Sequence, residues 1–124
     1  MRMQIGIPIP GQAVAMAKAI NIPAIFHERF QGVEEVFVDF VGGYKVYITA
    51  VKEGVHAAGE RVKLERKNKQ RNGKGKSSLQ LRIPFPEIFW RRLHFYENQA
   101  GQMIKLTFED EGDFLAVTFD SLGN

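Results

Sequence analysis

Apolar and polar residues alternate at period two over three stretches of this chain. In 34–51, Val36, Val38 and Phe40 alternate with Phe37, Asp39 and Val41, Gly42-Gly43 supplies a turn, and Tyr44, Val46 and Ile48 resume the period. Side chains of a strand point to opposite faces in turn, so this pattern predicts a β-hairpin with one face on a core. In Glu60–Arg71, Val62 and Leu64 share one face while Arg61, Lys63 and Glu65 share the other. Asn72-Gly73 follows as a favoured two-residue hairpin turn, and Leu79, Leu81, Ile83 and Phe85 return at period two. The third stretch, Gln102–Phe119, predicts a hairpin around Glu111-Gly112, with Leu106 and Phe108 on one face before the turn and Phe114, Ala116 and Thr118 on one face after it.

Other segments break the period. Met3–Ile9 alternates loosely and ends in Ile-Pro-Ile-Pro-Gly, a strand limited by proline. Gln12–Ile20 is rich in good helix formers and predicts a short helix after Gly11, and Asn21–Gln31, which contains Pro23, reads as an irregular connection. Pro86–Tyr96 predicts a second helix: proline suits the first helical position, Glu87 suits the positive end of the dipole, and Ile88, Phe89, Leu93 and Tyr96 fall on an inner face.

These elements predict a mainly β (α+β) fold over residues 1–124, built from β-hairpins and two short helices in a single domain. Ile7-Pro8-Ile9-Pro10 matches Ile83-Pro84-Phe85-Pro86, and each is followed by a helix, a glycine and a hairpin. Two origins give that order: shared β-sheet grammar, or an internal duplication of units 5–51 and 79–120 joined through the basic hairpin 60–85. Duplicated units of this size would share one pseudo-twofold body, because neither could bury its sheet face alone.

Composition narrows the class. At 124 residues with 44% hydrophobic and 11% aromatic content, the chain can bury a core without cross-links. It has no cysteine, which excludes disulfides, thiolate metal sites and thiol nucleophiles. The N-terminal stretch is interrupted by proline and glycine, lacking the continuous apolar run of a signal peptide, and nothing reaches membrane-spanning length. A cytoplasmic protein without a membrane partner is expected.

Charge changes the picture most. From Arg61 to Lys76 eight basic residues stand against Glu65 alone, a net +7, whereas the whole chain carries +3, so the remainder sums to −4. The apolar residues of the second stretch lie at its base and the charges at its far end, which predicts a β-ribbon arm anchored in the core and projecting into solvent. Such an arm favours a polyanion through counterion release. Arg61, Lys63, Arg66, Lys67, Lys69, Arg71, Lys74 and Lys76 are the candidate phosphate contacts. Only Asn68, Gln70, Arg71 and Asn72 can read bases by hydrogen bond, so backbone-dominated binding is expected.

Arg82-Ile83-Pro84-Phe85-Pro86-Glu87-Ile88-Phe89-Trp90-Arg91-Arg92-Leu93 resembles the opening of AbrB/MraZ-like swapped-hairpin transcription factors, a strand, an apolar–Pro step and a short helix with basic residues. The hairpin over 101–119 is similar to that family's second strand pair. The resemblance implies an intertwined homodimer or a two-copy pseudo-dimer that binds DNA, rather than RNA, with basic side chains on one sheet face. Arg82, Arg91 and Arg92 are the nearest matches to the family's basic residues. The basic ribbon is not part of the family pattern.

Further motifs carry less. A P-loop needs glycine with four residues intervening before the Gly-Lys-Ser step, and Gln70 stands there ahead of Gly75-Lys76-Ser77. Phe89-Trp90-Arg91-Arg92 and His94-Phe95-Tyr96 set aromatics beside arginine. Exposed, they would stack on unpaired bases; buried, they are core, the reading that Phe89 favours and Trp90 leaves open. His27, His56 and His94 lack ligand spacing, and Glu109-Asp110-Glu111-Asp113 read as a hairpin turn. The expectation is therefore a non-enzymatic DNA-binding protein of the transcription-regulator or architectural type, with no metal and no cofactor. The alternative is an assembly module whose basic arm contacts an acidic partner.

Overall fold

The computed structural model describes residues 7–70 and 77–120. The chain is mainly β, with two antiparallel sheets. Among the described residues the strands are β1 (Ile9–Val14), β2 (Ala19–Ile22), β3 (Glu35–Gly42), β4 (Lys45–Ala50), β5 (Glu60–Lys63), β6 (Glu65–Gln70), β7 (Ser77–Pro84), β8 (Met103–Glu111) and β9 (Phe114–Phe119). A 3-10 helix spans Ala24–Phe30 and the α-helix α1 spans Glu87–Arg92. Six strands form one sheet in the order β1-β8-β9-β4-β3-β5, and three form the other in the order β2-β7-β6. No helix of the described residues is long and apolar enough to cross a membrane.

The hairpins form where alternation predicts them, with each turn one residue further on. Gly43-Tyr44 and Gly112-Asp113 are the turn residues, and in both the glycine has positive φ (52° and 74°) while its neighbour does not. That is the geometry of a two-residue loop with glycine first, which matches the twist of the flanking strands. Leu106 and Phe108 face the core; Phe114, Ala116 and Thr118 share the other face, where Phe114 stacks on Tyr47 at 4.9 Å.

The N-terminal expectations are corrected. Gln12–Ile20 is not a helix: β1 runs through Pro10 and Gly11 to Val14, Met16 turns the chain at φ 64°, and β2 begins at Ala19. Tertiary pairing overrides the helix propensity of this alanine-rich segment, because β8 supplies a complete ladder for it from Ile9↔Phe108 to Val14↔Met103. Asn21–Gln31 is not irregular either. Its Pro23 caps the 3-10 helix, which buries Phe26 and Phe30. Helix α1 is shorter than predicted and rolled: Phe89, Trp90 and Leu93 are buried with Phe95, while Ile88 and Tyr96 are exposed. His94, at φ 69°, ends the helical turn.

The two sheets interleave two similar halves. Ile22-Pro23-Ala24-Ile25-Phe26-His27-Glu28-Arg29-Phe30 matches Phe85-Pro86-Glu87-Ile88-Phe89-Trp90-Arg91-Arg92-Leu93 at Pro, Ile, Phe and Arg. Each segment follows a strand (β2, β7), starts a helix after its proline, and precedes a hairpin. The registers are symmetric about two points. β2 meets β7 with Ile20 opposite Ile83, and β4 meets β9 with Tyr47 opposite Ala116. These are equivalent positions of the two halves, so a pseudo-twofold axis passes through both pairs. Each half's first strand joins the other half's hairpin, β1 on β8 and β5 on β3. This correspondence differs from a match of Ile7–Pro10 with Ile83–Pro86. It also places the basic segment: β6 and the chain up to the start of β7 are inserted where the first half has only the short β1–β2 connection.

Gly59 leads into β5 at φ 113°, and a Cβ there would collide with the Val38 carbonyl. Gly59→Ala therefore carries both backbone strain and a clash against a buried strand. An unfolding free energy lower by about 2–4 kcal/mol is expected in urea titration.

Candidate nucleic-acid interface

Glu60–Arg71 does not form one strand. The chain leaves the large sheet at Leu64, so β5 borders β3 while β6 pairs with β7 in the small sheet. Leu81 and Ile83, in β7, lie between β2 and β6 and are buried at 2% and 0%. Beyond Leu81 only β6 and β7 remain paired, Lys67 opposite Gln80, Asn68 opposite Leu79, Lys69 opposite Ser78 and Gln70 opposite Ser77. This two-stranded ribbon has left the core, and Leu79, expected at the buried base, is 45% exposed. The Asn72-Gly73 turn, with Arg71, Lys74 and Lys76, lies outside the described residues. A strand begins at Ser77, so Gly75-Lys76-Ser77 leads into no helix.

The candidate cations divide into two groups. Those at the base of the ribbon and on α1 are held by carboxylates. Arg61 donates to Glu35 through Nε and Nη2 (2.9 and 2.6 Å), and Arg82 donates to Glu65 through the same atoms (3.2 and 3.0 Å). Arg91 bridges Glu87 and Glu97 at 2.9 and 3.0 Å. Arg92 lies 3.5 Å from Glu60 with its guanidinium over the Phe40 ring. Such surface pairs add little stability, but a phosphate must displace a carboxylate to reach these arginines.

The second group faces no such competition. Lys63 and Lys67 are exposed and make no ion pair among the described residues. Arg66 donates to the Phe30 carbonyl at 2.7 Å, tying the ribbon to the 3-10 helix with a neutral partner that leaves its charge uncompensated. From Arg66 to Leu81 the sequence holds six basic residues and no acid. Along the ribbon the sequence therefore passes from the Glu65–Arg82 pair at its base to a run of basic residues without an acid.

The Arg91 clamp has a pH signature. The hydrogen bond from Arg91, then that with Glu97, then the Arg91 charge hold the Glu87 carboxyl below its ordinary value. A depressed carboxyl stabilises the fold above its unfolded pKa, and that contribution is lost as pH falls through the folded value. An NMR titration of Glu87 is expected to give a midpoint below the ordinary carboxylate range, moving up toward it in Arg91→Ala.

Two aromatic candidates are core. Trp90 is fully buried and its indole N–H donates to the Ala17 carbonyl at 2.8 Å, and Phe89 packs edge-on against Phe40 and Phe85. In the acidic turn, Asp110 is paired with Arg29, and among the described residues no cluster of three or more ligand-type side chains could hold a metal.

The sequence reading missed a groove of about 410 Å³ between the ribbon and the 3-10 helix, lined by His27, Glu28, Gln31, Arg66, Leu79 and Leu81. Its helix side lies in Asn21–Gln31, where the sequence carries no regular period to signal it. Comparison with protein-family models, with curated proteins and with solved structures finds no match to this chain.

Proposed function

We propose that this chain binds nucleic acid, as a transcription regulator or architectural protein, by laying the basic β6–β7 ribbon along a phosphate backbone. One observation carries the reading: Lys67, where the ribbon leaves the core, makes no ion pair among the described residues, and the sequence from Arg66 to Leu81 holds six basic residues and no acid. Lys67 and Arg66 begin the contact, Lys69, Arg71, Lys74 and Lys76 extend it, and Lys63 flanks it. Arg61, Arg82, Arg91 and Arg92 join only where a phosphate displaces their carboxylates. A two-stranded ribbon has the width of a major groove, and phosphate contacts fix position without reading sequence. The reading involves no catalytic step and no cofactor.

The interleaved halves support the resemblance to swapped-hairpin DNA-binding proteins in its two-copy form, since the twofold is contained in one chain. DNA is the preferred polyanion on that ground. The test is filter binding of duplex DNA, single-stranded DNA and RNA across a salt series. Steep salt dependence is the expected result. Purification free of nucleic acid, with no binding at low salt, overturns the reading in favour of an acidic protein partner.

A further inference from the structure

We infer that the groove beside the ribbon receives one unpaired nucleobase carrying an exocyclic amine, while the ribbon holds the phosphates of the same strand; this rests on the nucleic-acid reading above.

The pseudo-twofold supplies the first argument. His27 occupies in the first half the position of Trp90 in the second. The indole of Trp90 fills its site completely, bonding the Ala17 carbonyl of the other half's chain. At the related position the smaller imidazole turns back to the Ile22 carbonyl at 2.9 Å, and the groove of about 410 Å³ lies beside it. One half thus holds a planar bicyclic ring where the other holds open space.

Chemistry supplies the second. The groove joins an apolar floor, Leu81 and the exposed Leu79, to a set of acceptors on the helix side. Ile22 offers only a carbonyl, so His27 Nε2 carries the proton and Nδ1 is left as an acceptor in the neutral ring. Gln31 adds an amide and Glu28 a carboxylate. A carboxylate repels phosphate but accepts from the amine of cytosine, adenine or guanine, and thymine and uracil have none. The groove therefore suits a base and not the backbone. Arg66, beside it, offers its charge to the adjacent phosphate. A base inside a duplex cannot enter, so single strands are favoured over duplexes.

The test compares labelled oligo(dT), oligo(dT) with alternate cytosines, their RNA counterparts with uracil, and a duplex of equal length, by fluorescence anisotropy at one salt concentration. The cytosine-bearing strand is expected to bind about tenfold tighter than oligo(dT). Glu28→Ala is expected to reduce that ratio to about twofold or less, with oligo(dT) binding as tightly or more tightly because a repulsive charge is gone. His27→Trp, which fills the groove as Trp90 fills its counterpart, is expected to remove the preference for single strands over the duplex and leave the salt slope unchanged. Equal preferences in DNA and RNA identify the base alone as the ligand; a preference in only one of them adds the sugar to it. Equal binding of both DNA strands and both RNA strands, or a cytosine preference that survives both variants, overturns the inference. Loss of all binding in the wild-type protein instead overturns the nucleic-acid reading itself.

Discussion

Replacing Lys67, Lys69, Arg71 and Lys74 together by Ala is expected to lower affinity for duplex DNA about 10²–10³-fold at 0.1 M salt, with the logarithmic salt dependence shallower by about 3 to 4. Each phosphate contact releases close to one condensed counterion, so four lost contacts must reduce the slope as well as the affinity. The paired slope and affinity changes separate this mechanism from a general weakening, which leaves the slope alone. Folding should be untouched: Lys67 is exposed on a ribbon that has already left the core, and surface substitutions of this kind stay within about 0.5 kcal/mol. The control is Arg91→Ala with Arg92→Ala. Both arginines are held by glutamates, so the same salt series should move little, by about threefold or less with an unchanged slope. An arm variant that binds as the wild type does, in a protein with an unchanged unfolding midpoint, sinks the proposed function. So does a control that loses as much as the arm.

The strands around β3–β4 and β8–β9 were legible because one face of each is buried and a local turn fixes the register. Val36, Val38, Val46 and Ile48 are buried to 0%, so alternation carried the full signal. β1 and β2 were not legible, because what makes them strands is remote. Each gains its ladder from the other half, β8 for β1 and β7 for β2, and local propensity alone favours helix in an alanine-rich run. The break at Leu64 was invisible for a related reason. Alternation runs unbroken from Arg61 to Glu65 while the strand changes partner at Leu64, and period two records which face a residue takes but not which sheet it joins.

The same limit applies to the interface. The charge gradient was readable from composition, but neutralisation at its base was not, since Glu35 and Glu60 reach the ribbon and α1 from distant positions in the chain. Leu79 is in phase with Leu81 and Ile83, and only the end of β2 at Ile22 decides that it falls beyond the core. The match of Pro23–Phe30 with Pro86–Leu93 was present in the residues. Ile7–Pro10 repeats the prolines of Ile83–Pro86 without the helix that follows them.

Trp90→Ala is expected to lower the unfolding free energy by about 4–6 kcal/mol, a large part of the stability of a chain this size. The indole is fully buried and meets Phe85, Phe95 and Phe119 edge-on at 5.1, 5.6 and 5.7 Å, so truncation opens a cavity among rings that cannot all move in to fill it. It also removes the N–H that satisfies Ala17 O, the polar link between the second half's helix and the first half's strand connection. Trp90→Phe separates the two contributions. It keeps most of the aromatic volume and loses the donor, and should cost about 1–3 kcal/mol, the range for losing a part-buried hydrogen bond together with a modest cavity. Urea denaturation followed by far-UV circular dichroism gives both values. If the Phe variant costs as much as the Ala variant, the hydrogen bond outweighs the packing. If the Ala variant costs less than about 1 kcal/mol, the site is not the closed aromatic core that joins the halves. His27, at the related position, provides the contrast. Because it borders open space and bonds only within its own half, His27→Ala should cost about 1 kcal/mol or less.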